Sequence, residues 1–312
     1  MVKYSFVVPA YNEEAVLNLF YQRVTSVFAA LDGEYEIIIV NDGSTDKTAE
    51  IIKDLCKEDY RVKGVSFSRN FGQENAILAG FSYARGQAVV CMDADLQDPP
   101  EVAVQMILEW KKGYEIVHAK YRKREGENVL KKATSRLYYR MINRLIDLDM
   151  PVDCSYLKLF DRKAVDVLIH LKERVRFLRA QTAWIGFKQG YVEFDRPARA
   201  AGKTKYDLKK LVKLAKASLL PHSYSLHRIS AMFGGLFVAG SCFVYILFGI
   251  LTGLGVEFGG LTAWLFPTVA LAVGILLLNS GLQNSYLYEI YKEEQNRPPF
   301  IVSERYNLSE KE

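Results

Sequence analysis

The chain has 312 residues, 50% hydrophobic content and a net charge of +5, enough length for one large domain with an appendage and more apolar side chain than a soluble domain ordinarily carries. Cys56, Cys91, Cys154 and Cys242 are scattered, with no close pair and no histidine at zinc-ligand spacing, which argues against a disulfide framework or a zinc site. The first residues read as a strand and an acidic turn, not as a signal peptide, so the N-terminal domain is expected in the cytoplasm.

Tyr4 to Pro9 is a short apolar run. A loop from Pro9 to Glu14 follows, and then apolar residues recur at helical spacing: Val16, Leu17, Phe20, Val24, Val27, Phe28 and Leu31. The strand–loop–helix pattern repeats with Glu36 to Val40, the turn Asn41 to Asp46, and a helix through Ile51, Ile52 and Leu55. A third strand, Val62 to Ser68, leads through Arg69 to Gly72 into a helix over 73–84, and a fourth, Ala88 to Met92, ends at the acidic stretch Asp93 to Asp98. Such alternation predicts an α/β fold with right-handed crossovers and a parallel sheet covered on both faces. All strand ends then open on one rim, where open α/β sheets bind ligands, so Pro9 to Glu13, Asn41 to Ser44 and Asp93 to Gln97 are expected to meet in space.

Asp93, Asp95 and Asp98 would repel unless a cation sat among them. With Gln97 they offer hard oxygen ligands of the kind Mg²⁺ or Mn²⁺ accepts; the plainer alternative is a solvated acidic turn. Pro99 and Pro100 suit the opening of the next helix, where a missing N–H does no harm. Asp42 also stands on the rim, placed to accept from a base N–H or a ribose hydroxyl, while Gly43, Ser44 and Asp46 have a second reading as turn and cap residues. No G-x-G-x-x-G follows any strand, which argues against a dehydrogenase. Residues 201–204 (AGKT) resemble the end of a phosphate loop, but Pro197 stands where its first glycine is required.

Beyond the acidic stretch the pattern predicts a helix over 101–112 and a strand over 115–121 ending in Arg122, Lys123 and Arg124. A basic helix over 131–146 carries Lys131, Lys132, Ser135, Arg136, Arg140 and Arg144; a solvated face is the commoner role of such a run. Asp153 falls on a loop before a strand over 157–160, and residues 177–187 read as an amphipathic helix with Trp184 in the core.

The positive charge is a local belt. Arg199, Lys203, Lys205, Lys209, Lys210, Lys213, Lys216 and Arg228 face the single acid Asp207 over residues 199–228. Residues 229–251 and 260–282 are apolar, each about 34 Å long as a helix against a hydrocarbon core of about 30 Å. Joined by a short turn, they are expected to form a transmembrane hairpin with basic flanks in the cytoplasm. Residues 207–220 fit a helix along the lipid surface, lysines near anionic headgroups. Gly234, Gly235, Gly240 and Ser241 permit close helix contacts in a homo-oligomer. The expected organisation is a cytoplasmic domain over 1–204, a basic juxtamembrane segment over 205–228, two spans within 229–286, and a cytoplasmic tail over 287–312. The partners expected are small molecules and a membrane, with no nucleic acid.

With these residues placed, the sequence resembles the family 2 glycosyltransferases of GT-A fold, and among them the polyprenyl-phosphate glycosyltransferases. The resemblance covers nearly the whole chain and rests on residues 8–14 (VPAYNEE), 41–46 (NDGSTD), 69–72 (RNFG), 93–100 (DADLQDPP), 184–187 (WIGF) and 199–206 (RAAGKTKY). It implies that Pro9, Tyr11, Glu13 and Asp42 hold the nucleoside, that Asp93 contacts the sugar nucleotide, and that Asp95 and Gln97 bind the metal. It further implies that Arg122, Lys131, Ser135, Arg199 and Lys205 surround the donor diphosphate and the lipid phosphate, with Asp153 as base or orienter. Two departures stand out. Asn41 occupies a position where many relatives have a second Asp, and Cys154, Ser155 and Tyr156 replace a glycine-containing stretch.

The implied reaction is attack of a lipid phosphate oxygen on the anomeric carbon of a nucleotide sugar, opposite the leaving diphosphate and therefore with inversion. A phosphate monoester, with its second pKa near ~6, is already mostly dianionic at cytoplasmic pH, which lessens the need for a base at Asp153. UDP-glucose is the expected donor and undecaprenyl phosphate the expected acceptor. N-acetylglucosamine, galactose, mannose and aminoarabinose-type donors follow, because hydroxyl discrimination depends on loop geometry. A processive polysaccharide synthase would carry Gln-x-x-Arg-Trp, but the run from Gln181 to Trp184 lacks the Arg; a silent nucleotide-sugar binder would lack the metal residues.

Overall fold

The computed structural model describes residues 2–124, 154–173, 176–196 and 293–308, with isolated positions between 243 and 291. These fall into two compact units: one holds residues 2–124, 154–173, 176–196 and 298–308, the other the described positions from 243 to 297.

In the first unit the chain runs β1 (Tyr4–Ala10), α1 (Leu17–Phe28), β2 (Tyr35–Asn41), α2 (Thr48–Glu58), β3 (Val62–Phe67), α3 (Gln73–Tyr83), β4 (Ala88–Cys91), α4 (Pro100–Lys111) and β5 (Ile116–Arg124). Then come β6 (Cys154–Asp161), α5 (Arg162–His170), α6 (Leu178–Trp184), β7 (Gln189–Arg196) and β8 (Val302–Tyr306). The strands form one eight-stranded sheet in the order β7-β5-β6-β4-β1-β2-β3-β8.

The fold is α/β with a mostly parallel sheet. β4, β1, β2 and β3 pair in parallel, as do β5 and β7. β6 runs antiparallel to both β4 and β5, and β8 antiparallel to β3. β2 reads Ile37, Ile38, Ile39, Val40 without alternation because it is buried on both faces. Tyr4, Phe6 and Val8 of β1 pack with Leu17, Phe20, Val24 and Phe28 of α1 on one face. Val7 joins Ala76, Ile77 and Phe81 of α3 on the other. The C-terminal ends of β1 to β5 therefore share one edge, and β6 begins there with Cys154.

The expected mostly parallel sheet carries two antiparallel strands, β6 and β8, and within the tail expected over 287–312 β8 pairs with the edge strand β3. One expectation needs correction here. The helix expected over 177–187 stops at Trp184, before Gly186 at φ 70°, and Trp184 is 59% exposed, not core. That helix buries Leu178, Ala180, Gln181 and Thr182 instead.

In the second unit the described positions of the first apolar segment, Phe243, Ile246 and Ile250, are helical, as are Leu265, Val269 and Leu276 of the second. All six side chains are exposed. Among the described residues no helix is long and apolar enough to cross a membrane. The segments expected as a hairpin, the juxtamembrane helix over 207–220 and the basic helix over 131–146 lie largely or wholly outside the described residues.

Candidate active site

The rim is assembled by loops that hydrogen-bond to one another. Asn12, in the left-handed region at φ 55°, donates its backbone N–H to Ser44 Oγ at 3.0 Å and accepts from Thr45 N at 2.8 Å through Oδ1. The backbone N–H of Glu13 donates to Thr48 Oγ1 at 2.9 Å, that of Glu14 to Asp46 Oδ2 at 3.2 Å, and Glu14 Oε2 accepts from Lys47 N at 3.0 Å. The β1–α1 and β2–α2 loops are thereby zipped together, as their position at adjacent parallel strand ends requires. Pro9 and Glu13 are half-buried on this edge and Tyr11 is exposed.

Asn41 explains its own presence. Its Oδ1 accepts from Ser44 N at 2.9 Å and its Nδ2 donates to Ser66 Oγ at 3.3 Å, tying the turn to β3. A carboxylate there would supply the acceptor and lose the donor. Gly43 has φ 66°, and a Cβ would lie 2.3 Å from the Arg69 carbonyl carbon, so only glycine lets the β2–α2 turn close on the β3–α3 loop.

Asp42 is 3% exposed. Its carboxylate accepts from the backbone N–H of Phe71 at 2.7 Å and of Gly72 at 3.0 Å. Burial raises its pKa above the usual carboxylate value, opposed by the Phe71 and Gly72 N–H groups and by Arg69. The residue expected to meet the nucleoside thus also holds the β3–α3 loop in place, a role invisible in the sequence.

Asp93 accepts from Gln73 Nε2 at 2.8 Å, which brings the start of α3 to the end of β4. Asp95 Oδ1 accepts from Gln97 N at 3.1 Å, a turn made possible by Leu96 at φ 56°. Asp98 departs from its neighbours: it is 2% exposed and accepts from Ser155 Oγ, so it binds β6 to the sheet and does not join a three-carboxylate cluster. Gln97 is 7% exposed, more enclosed than a solvated acidic turn would leave it.

Among the described residues no group of three His, Cys, Asp or Glu side chains is gathered to hold a metal. Mg²⁺ is bound through one or two carboxylates plus substrate phosphates and keeps several waters, so it needs no such cage. Half-buried Asp93 and Asp95, with Gln97, are an all-oxygen set that fits this mode. The nearby thiol of Cys91 is fully buried and its pKa is raised well above the usual value by burial and by Asp93.

Behind the rim lies a polar cluster that no sequence motif marks. Glu74 accepts from Leu178 N at 3.2 Å and from the Tyr156 hydroxyl at 3.3 Å, and Arg179 lies 4.9 Å over the Tyr156 ring. Lys158, 1% exposed, has its pKa lowered to about 8 by burial and by Arg179, against the pull of Cys154, Glu74 and Cys91. Burial and Lys158 lower His118 to about 3, so it stays neutral, its Nε2 2.9 Å from Gln189 Oε1. The one available signal was position: Gln73 and Glu74 directly follow RNFG.

Arg122, expected at the phosphates, is exposed on β5 and lies 3.8 Å from Glu193. Lys131, Ser135, Asp153, Arg199 and Lys205 lie outside the described residues.

Residues 5–169 match the family described as Glycosyl transferase family 2. Over 312 residues the chain is 41% identical to an uncharacterized glycosyltransferase, YkcC, of Bacillus subtilis (strain 168), covering 99% of this chain and 96% of that one. It is 34% identical over 305 residues to the SfII prophage-derived bactoprenol glucosyl transferase of Shigella flexneri, covering 96% of this chain and 97% of the other. A crystal structure of glucosyl-3-phosphoglycerate synthase from Mycobacterium tuberculosis with Mn²⁺, UDP-glucose and phosphoglyceric acid is similar over 71% of this chain and 79% of its own, at 20% identity and TM-score 0.47. The match to the family over more than half of the chain, with full-length relatives above 30% identity, completes what the zipped loops and the acidic strand end began: the chain belongs to glycosyl transferase family 2.

Proposed function

We propose that the protein is a membrane-bound inverting glycosyltransferase that moves a hexose from UDP-glucose to undecaprenyl phosphate, at the cytoplasmic face of the membrane. The observation that carries this reading is the rim, where two hydrogen-bonded loops border Asp42 and where Gln73 fixes Asp93 beside Asp95 at the end of β4. The relatives named bactoprenol glucosyl transferase, matched over 96% of this chain, support the glucosyl group and the polyprenyl carrier.

Pro9, Tyr11, Glu13 and Asp42 receive the nucleoside, and Asp93 orients the sugar nucleotide. Mg²⁺ or Mn²⁺ held at Asp95 and Gln97 would neutralise charge growing on the departing diphosphate. Arg122, Lys131, Ser135, Arg199 and Lys205 draw the two anionic substrates together and favour the transition state over the ground state. The lipid phosphate oxygen bonds to the anomeric carbon as the bond to the diphosphate breaks. The dianionic nucleophile carries no proton to remove, so Asp153 serves to orient it or to take a residual proton.

Residues 229–251 and 260–282 hold the enzyme in the lipid as two spans. Support comes from Phe243, Ile246 and Ile250, spaced along one helix face and each more than half exposed, an apolar surface of the kind that marks membrane or partner contact. The position of β8 also supports it. The strand follows both apolar segments and pairs with β3, which precedes them, and an odd number of crossings would put the two on opposite sides.

The test is to incubate membranes containing the protein with labelled nucleotide sugars and undecaprenyl phosphate and to identify the glycolipid by mass. UDP-glucose is expected to give a hexosyl phospholipid, and Asp95→Ala to abolish it while the protein remains in the membrane. No glycolipid from any donor would refute the function, and near-normal turnover of Asp95→Ala with Mg²⁺ present would remove the metal from it.

A further inference from the structure

We propose that the C-terminal strand is part of the donor site: Phe300 and β8 hold the β3–α3 loop whose backbone grips Asp42, which makes Phe300 a positioning residue for nucleotide binding. The inference rests on the proposed function, in which Asp42 belongs to the nucleotide-sugar site.

The contacts form an unbroken series. Phe300 stacks on Phe67 with ring centroids 5.0 Å apart and planes 13° from parallel, and Phe67 meets Phe71 edge to face at 5.7 Å. Phe71 then donates its backbone N–H to Asp42. A second series runs beside it: Ile301 O accepts from Ser68 N at 3.0 Å, Ser303 Oγ donates to Ser66 O at 3.0 Å, and Ser66 Oγ accepts from Asn41, the neighbour of Asp42.

The loop needs such support. Ser68, Arg69 and Asn70 are exposed, so the loop makes little core of its own between β3 and Gly72. Arg69 covers the Phe71 ring at 4.1 Å from the solvent side, and Phe67 with Phe300 closes the series on the protein side. Pro298 and Pro299 restrict the backbone just before Phe300. A tail that follows the apolar segments thus ends on the loop that sets the Asp42 carboxylate.

The experiment uses the purified full chain in detergent and compares wild type with Phe300→Ala and Phe300→Tyr. It reads amide hydrogen exchange at Phe71 and Gly72, UDP affinity, and separate KM values for nucleotide sugar and lipid phosphate. Phe300→Ala is expected to speed exchange at both amides and to weaken UDP binding and donor KM about three- to tenfold, the span of one aromatic pair, with lipid KM and kcat within about twofold of wild type. Phe300→Tyr, which keeps the ring, is expected to restore both. Unchanged exchange and UDP affinity in Phe300→Ala would overturn the proposal, as would equal losses for donor and lipid, which mark general destabilisation. A wild-type chain that binds no nucleoside diphosphate would overturn the donor-site role together with the proposed function; that failure shows in the wild type, and a failure of the Phe300 role alone shows only in the variants.

Discussion

Replacing Asp42 with alanine tests whether the rim is built as described. The change removes the acceptor for the backbone N–H groups of Phe71 and Gly72 at a position 3% exposed. Each buried donor left without a partner costs ~1–3 kcal/mol, and relief of the carboxylate's own desolvation offsets part of that, leaving a loss of about 2–4 kcal/mol. For a unit of this size 1 kcal/mol moves the midpoint by about 2–4 °C, so Asp42→Ala is expected to melt roughly 4–16 °C lower. Asp42→Asn keeps an acceptor oxygen and is expected to stay within about 1 kcal/mol of wild type, because the hydrogen bonding it weakens is offset by the buried charge it removes. That the charge is a cost follows from the raised pKa. An acid whose folded value lies above its ordinary 3.8 gives stability that is present below that value and lost as pH rises through the higher one, so at neutral pH the buried charge is already a cost that Asn avoids. The assay is thermal unfolding in detergent at pH 7, with hydrogen exchange read at residues 71 and 72. Equal midpoints for the Ala and Asn variants, or for Ala and wild type, would show that Asp42 does not hold the loop.

Asn41→Asp is expected to destabilise this chain by about 1–3 kcal/mol, because the amide donor to Ser66 Oγ is lost and a second carboxylate arrives beside Asp42; thermal unfolding checks it, and an unchanged midpoint contradicts it. Lys158→Met probes the buried cation. With the folded pKa lowered from 10.5 to about 8, the lysine's contribution is present above 10.5 and lost as pH falls through 8. The stability of the Met variant relative to wild type should therefore fall by about 2–3 kcal/mol between pH 7.5 and 10.5. A pH-independent difference would show that Lys158 titrates normally.

The sheet and its rim were legible because parallel strands buried on both faces leave apolar runs, and each run here ends in a polar loop and a helix. That pattern correctly placed β1 to β4 and brought the Asn12 and Ser44 loops together. It failed where burial is one-sided or the partner is distant. β8 shows only half-buried Val302 and Tyr306 around exposed Ser303, Glu304 and Arg305, an edge strand that acquires meaning only beside β3. The direction of β6 depends on a connection over residues 125–153 whose path no periodicity reveals. β7 did carry a usable signal, since Val192 and Phe194 point inward between exposed Tyr191, Glu193 and Asp195. Within the site, spacing alone could not separate Asp98, which anchors β6, from Asp93 and Asp95. Nor could it show that Asp42 holds the backbone of Phe71 and Gly72, because that requires the β3–α3 loop to fold back over it.

The most direct measurement follows label from UDP-glucose into two acceptors of equal chain length, undecaprenyl phosphate and undecaprenol, in membranes that contain the protein. Transfer is expected to the phosphate alone, because the proposed basic residues would act on its charge and a dianion needs no deprotonation, whereas the alcohol offers neither. Comparable transfer to both acceptors, or label that never enters the lipid phase, would contradict the account.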